Sequence, residues 1–454
     1  MDYRHCFGKK WRHSTQAEDG GLSAIVSVAY FSVVACECSP NYELAGGNML
    51  KPFEELGNAV AKSWANHGSK EDNFSELATE ALIASKVLTS VDPGEIVFWV
   101  MNSNNVPSQD AEDFGQPPVN LYVGDGFYIQ ALFWVDSTTA IHEHSFSGAF
   151  GVLHGSSVHS TYSFTPEKEA CRRLVIGQTD FLGAELLERG DVRTILPGDK
   201  LIHSLFHLDR PSVSLVVRTS PKLSLERPQY AYLKPFIAFD DARLPALQVV
   251  QLRMLESQLT TDANAFWQTA GDLVAKCDPF ILCQVLAMAY RKVDDTAGWN
   301  TLLSRINTDN QALVGHILPC LKEGTRVSRL ASLRASVHDP THRFFLALLL
   351  NVPHREEMYR LVTQRFPDSD PKALVVQWLG EIFGEERGGI KISPAALFLI
   401  DRILDDPDFE RNKAALRKHF EASPDIDEST LRKSWLQIQN VELLKPLLTN
   451  AAVM

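Results

Sequence analysis

The tripeptide His142-Glu143-His144 constrains this chain more than any other feature. It sits within residues 134–155, WVDSTTAIHEHSFSGAFGVLHG. Side chains on a β-strand alternate between faces with period two, so two histidines one residue apart share a face and can share one metal ion. A second segment, residues 190–218, carries a Pro197-Gly198 turn followed by a strand-like run with His203. Short β-rich runs surround both segments, at 127–135, 150–153, 158–164 and 212–218, with Gly124, Gly126, Gly155 and Gly190 between them. Many short strands separated by turn signals indicate a sandwich or a barrel.

The rest of the chain reads differently. From 50 to about 90 the pattern is helical, with Phe53, Leu56, Val60 and Trp64 recurring at spacings of three and four. Pro93-Gly94 breaks the pattern, EIVFWV at 95–100 reads as a strand, and the Asn-, Asp- and Pro-rich stretch 103–118 reads as a loop. From 244 onward a succession of helical segments follows, with Pro279, Pro371 and Pro394 at tolerated first-turn positions. They show no fixed sequence period, so a helical stack and an orthogonal bundle are equally open. The expected fold class is α+β multidomain: a central β-barrel with a helical N-terminal segment and a large all-α C-terminal region. The expected divisions are 1–48, a disordered or over-extended leader; 49–117, helical; 118–220, barrel; 221–243, connecting; and 244–454, all-α. The connecting segment holds Leu223, Leu225, Tyr230, Tyr232, Phe236 and Phe239, too apolar for a free linker, so it should drape over a domain.

The formal net charge of −12 argues against nucleic acid and against an anionic membrane surface. The 7 cysteines are odd in number and lack paired CxxC spacing, which favours reduced thiols in a cytoplasmic protein. The apolar stretch 22–36 has features of a secretion signal, but Glu18 and Asp19 beside it, and a long leading segment, disagree. Met49 is an alternative start, because a clean amphipathic helix follows it.

The pair His142/His144 and the later His203 after a Pro-Gly turn resemble the cupin superfamily. Gly155 stands where the cupin motif has glycine, and Gly148 where it has a glutamate ligand. Without that acid, the chain is similar to three-histidine cupins, above all thiol dioxygenases of the cysteine dioxygenase type, over about 100 residues of 454. That resemblance implies Fe(II) and O2 with a small thiol. Three departures weaken the cysteine substrate: no arginine lies at 118–124, the family's Ser-His-Tyr relay falls on Ser214, Val216 and Arg218, and no cysteine occupies 148 or 149.

Three neutral imidazoles leave open positions on the ion, which suits Fe(II) with substrate and O2 together; Zn, Mn, Ni and Cu also accept such ligands. His207 rivals His203 as third ligand. His154 is expected at a hairpin turn, and His159 either beside the ligands or exposed. Glu143 is expected to face away. Ser214, Val216 and Arg218 share a face; in the barrel interior Arg218 could hold a substrate anion, whereas the simpler expectation is a strand-end arginine in solvent. The functional readings are a non-haem Fe(II) dioxygenase for a metal-chelating small molecule, a non-catalytic metal cupin acting as sensor or scaffold, and a metal-dependent isomerase or hydrolase. The C-terminal helices are open to a homo-oligomeric or other protein partner.

Overall fold

The computed structural model describes residues 51–109, 114–220, 229–240, 244–421 and 427–448. The leader expected at 1–48 lies outside them. The first helices are α1 (Lys51–Asn66), α2 (Phe74–Ser85), α3 (Val87–Ser90) and α4 (Pro93–Asn102). In α1 the residues Phe53, Leu56, Val60 and Trp64 form the buried stripe that their spacing predicts.

The strand expected at 95–100 is a correction: these residues form α4. Asp92 accepts a hydrogen bond from the Gly94 backbone N–H, and Pro93 occupies the first turn, where its missing N–H costs nothing. Ile96 and Trp99, three residues apart, supply the buried side. These local helix-starting signals outweigh the β-propensity of Ile-Val-Phe-Trp-Val.

Among the described residues eleven strands follow: β1 (Pro118–Val123), β2 (Phe127–Trp134), β3 (Ile141–His144), β4 (Gly148–His154), β5 (Ser157–Cys171), β6 (Leu174–Leu187), β7 (Val192–Ile195), β8 (Gly198–His207), β9 (Ser212–Thr219), β10 (Ala231–Leu233) and β11 (Ile237–Phe239). One sheet has the order β1-β2-β9-β4-β7, and a six-stranded closed barrel has the order β10-β11-β6-β5-β8-β3. The α+β class with a central barrel is thereby established. β5 and β6 run on past the residues whose alternation marks a strand, as a long hairpin paired from Ser157↔Leu187 to Cys171↔Leu174. The aromatic residues of the connecting segment have a specific use. β10 pairs with β3 and β11 with β6, so residues 231–239 close the barrel.

Alternation along β9 separates two cores. Val213, Leu215 and Val217 face the N-terminal helices together with Phe53, Leu56, Val60 and Ile129. Val216 faces the interior with Leu132, Trp134, Phe150 and Leu205.

The C-terminal region carries α5 (Ala246–Thr261), α6 (Ala263–Val274), α7 (Pro279–Tyr290), α8 (Thr296–Ser304), α9 (Val314–Ser336), α10 (Pro340–Asn351), α11 (Arg355–Arg365), α12 (Pro371–Phe383), α13 (Pro394–Asp405), α14 (Phe409–His419) and α15 (Glu428–Gln439). Helices α7, α10, α12 and α13 start alike, with an Asp or Ser cap followed by proline. The helices pack directly on the outer barrel wall: Val158, Leu186 and Phe206 join Phe345, Leu348 and Leu349 in one core. Ile176 and Ile237 join Phe280 and Leu282 in another. Asp136, just after β2, pins this contact by pairing with Arg210 at 2.6 Å, Arg334 at 2.9 Å and Arg343 at 3.3 Å. Among the described residues, no helix is long and apolar enough to cross a membrane.

Candidate metal centre

His142 and His144 lie on β3, and His203 lies opposite on β8 in register with His142. All three are buried, and one ring nitrogen from each lies within 4.8 Å of the others. The pair does not rely on perfect strand alternation, since a register irregularity falls between His142 and His144. His144 also bridges to Pro197, which lies beside the second histidine; instead of the expected turn, Pro197 leads straight into β8, whose first residue is Gly198 at φ +68°.

The protonation pattern fits a cation. His142 Nδ1 is 2.8 Å from the Ala140 carbonyl, a bond only Nδ1–H can donate. Its Nε2 then carries a lone pair, and that atom is buried without a hydrogen-bond partner. An orphaned buried nitrogen is costly unless something absent from the protein chain satisfies it. His144 Nε2 lies 2.9 Å from His203 Nε2. Burial lowers the His142 imidazole below its ordinary value; burial, then the neighbouring histidines, hold His203 well below it. Burial, then His142 and Arg218, do the same for His144. Neutral imidazoles converging on one point are the donor set of a divalent transition metal.

His207 stands apart from this cluster. Its Nδ1 is 3.0 Å from Ser157 Oγ, and its ring stacks on Trp134 at 4.8 Å and 13°. Between the two candidates for third ligand, it is His203 that the barrel brings to His142 and His144.

Arg218 corrects the solvent expectation. It is 8% exposed, on the interior face of β9, with its guanidinium over the rings of Tyr128 at 4.7 Å and Phe146 at 4.5 Å. Phe146 also meets His144 at 4.6 Å between ring centroids. Ser214, on the same face, accepts a 3.3 Å hydrogen bond from Trp134 Nε1.

Gly148 explains the missing carboxylate ligand. It is paired on both sides, to Arg218 and Ile195. A Cβ there would come within 2.2 Å of the Val217 carbonyl oxygen, so no side chain fits. Gly155 adopts φ +79° at the turn into β5, with Ser212 and Asp209 crowding the Cβ position. His154 is the exposed last residue of β4, at that turn.

Glu143 faces away from the histidines. It accepts from Tyr232 Oη at 2.5 Å, which ties β3 to β10. His159, in contrast, lies against the centre: its Nε2 is 2.9 Å from His203 Nδ1, and its Nδ1 is 2.9 Å from Glu185 Oε1. Glu185 is held in turn by Arg193. Neither Glu185 nor Arg193 is marked by any motif in the sequence; the register of β5 with β6 places Glu185, and that of β4 with β7 places Arg193.

No family model matches the chain, and no curated protein matches it. Among solved structures, it is similar to a chain from the DMSP lyases RdDddP and RnDddQII, with 13% identity over 25% of this chain and 51% of that one and a TM-score of 0.17. It spans about half the length of that structure. DMSP lyase DddQ from Ruegeria pomeroyi DSS-3 shares 13% identity over 39% of this chain and 95% of its own, with a TM-score of 0.21. An oxalate oxidase shares 14% identity over 36% of this chain and 74% of its own, with a TM-score of 0.19. These likenesses are too distant to bear on function, which rests on the chain's own barrel and histidines.

Proposed function

We propose that this chain is a three-histidine metal cupin acting as a non-haem Fe(II) dioxygenase on a small, metal-chelating, thiol-type substrate. The observation that carries the reading is the convergence of His142, His144 and His203, buried and held neutral, with His142 Nε2 lacking any partner. When bound, a divalent iron there supplies a redox-active Lewis acid with positions left for small ligands.

The protein's own groups then have distinct tasks. The three imidazoles hold the ion without neutralising its charge, so an anionic substrate is favoured at the centre. Arg218, on the interior face near His144, adds a second positive charge for a carboxylate or similar group on that substrate. Phe146, Phe150 and Trp134 exclude water from the interior. Ser214 positions Trp134 through their hydrogen bond.

A second reading, a metal-binding cupin without turnover, draws support from β9. Val216 and Arg218 replace the relay histidine and tyrosine of the thiol dioxygenases, so proton transfer by that route is absent. Elemental analysis of anaerobically purified protein, followed by O2 uptake with a panel of small thiols, separates the two. Iron with substrate-dependent uptake supports the enzyme; metal without uptake supports the sensor or scaffold. Metal with turnover but no O2 consumption points to an isomerase or hydrolase.

A further inference from the structure

A hydrogen-bonded line of side chains runs across neighbouring strands on the inner face, behind His203. It passes from Arg193 on β7 to Glu185 on β6, then to His159 on β5 and His203 on β8. Arg193 Nε and Nη2 reach the two Glu185 oxygens at 2.8 and 2.5 Å. The Glu185–His159 and His159–His203 contacts are both 2.9 Å. His159 and Glu185 are direct cross-strand partners, and His159 lies diagonally from His203 across the β5–β8 pair. His159 is 2% exposed, so water does not compete for its nitrogens.

The line has a direction because its far end is fixed. A guanidinium only donates, so the Glu185 carboxylate accepts from Arg193 and has no proton of its own to give. Burial alone would raise the Glu185 carboxyl, but the hydrogen bonds from Arg193 and His159 outweigh it and push it down to about 2. An ionised carboxylate accepts from His159 Nδ1–H. When the His159 ring carries a single proton, that carboxylate holds it at Nδ1, so the lone pair sits at Nε2 and accepts from His203 Nδ1–H. A neutral His203 protonated at Nδ1 has its lone pair at Nε2, the atom that faces His144 and the centre.

We infer that His159 and Glu185 are positioning residues that hold His203 in the one tautomer able to bind a metal through Nε2. This deepens the proposed metal centre and rests on it. His142 reaches the same state by a shorter route, since its Nδ1–H is taken by the Ala140 carbonyl. Two of the three rings are therefore preset by different partners, one by backbone and one by a side-chain line. Outer partners of this kind commonly contribute a factor of about 10–100 in metal affinity.

The test is nitrogen-15 imidazole NMR on the full chain, with and without Zn(II) as a diamagnetic probe, alongside zinc titration. In the wild type without metal, His203 should be protonated at Nδ1, slow to exchange, and coupled through the hydrogen bond to His159 Nε2. His159→Ala should lose that tautomer preference and weaken zinc about 10–100-fold. His159→Gln, whose amide oxygen can accept from His203, should recover part of the affinity. Glu185→Gln, which stays on the barrel's half-exposed rim, should fall between wild type and His159→Ala, and it serves if the alanine variant fails to fold. A His203 proton at Nε2 in the wild type overturns the inference, whatever zinc does. So does a tautomer or zinc affinity unaltered by both His159→Gln and Glu185→Gln. A wild type that binds no zinc while His203 is protonated at Nδ1 sinks the metal reading and leaves the positioning line standing.

Discussion

His142 and His203 face each other directly across the β3–β8 pair, with ring centroids 4.8 Å apart. Directly opposite residues on adjacent strands have their Cβ atoms about 4.5–5.5 Å apart, close enough for the two side chains to interact. Both rings point inward, whereas Glu143, between the two β3 histidines, points outward to Tyr232.

The first prediction separates the two histidines near the end of β8. His207→Ala should leave metal content unchanged, because its ring is committed to Trp134 and Ser157. The stack is still lost, and thermal unfolding should show a lower midpoint. Elemental analysis on the folded variant checks the metal.

Arg218 supplies the second. Replacing it by alanine should raise the apparent KM for an anionic substrate by the worth of a charge-assisted hydrogen bond, ~1.5–3 kcal/mol or roughly ten- to a hundredfold. Metal content should not change. Steady-state kinetics on metal-matched proteins decide it, and equal KM values would remove Arg218 from the substrate site.

Gly148→Ala is a third. With the Val217 carbonyl in the way of any Cβ, the substitution should destabilise the fold by about 1–3 kcal/mol, as overpacking does. Urea denaturation measures it. A variant as stable as the wild type would mean that β4 and β9 can part without cost, and that a glutamate ligand was sterically permitted after all.

Asp136 is the fourth. Asp136→Ala leaves the fully buried Arg343 and the nearby Arg334 and Arg210 without their shared carboxylate. The loss should be about 2–3 kcal/mol, below the full value for a buried pair because Asp136 is partly exposed. Limited proteolysis should cut faster between barrel and helices in the variant.

Glu185 gives a pH dependence with a definite sign. Its carboxyl lies near 2 in the folded protein against an ordinary 4.5. A depressed folded value means stability that is present above the ordinary value and lost as pH falls toward the folded one. Wild type and Glu185→Gln should therefore differ most near neutrality and converge in acid. Arg193, His159 and Arg360 all act on this carboxylate, and only the difference between the two proteins isolates it.

Much of this was legible before the structure. His142 and His144 on one strand, and His203 on the strand that Gly198 opens, are local patterns, although the expected turn at Pro197-Gly198 is strand and bridge instead. The failures have physical causes. The residues at 95–100 have strand composition, but the Asp92 cap and Pro93 start a helix there. The outer part of the β5–β6 hairpin is largely solvent-exposed, so no hydrophobic alternation marks it. Arg218 could be placed on a face from its spacing to Ser214, but which face was inside depended on where the N-terminal helices dock. Glu185 and Arg193 depend on pairing register alone, which no single segment encodes.

The central claim is that His142, His144 and His203 form one metal centre. Its most direct measurement is elemental analysis of anaerobically purified wild type beside folded His142→Ala and His207→Ala. The account predicts a stoichiometric divalent transition metal in the wild type and in His207→Ala, and its loss from His142→Ala. Full metal in His142→Ala, or loss confined to His207→Ala, would contradict it.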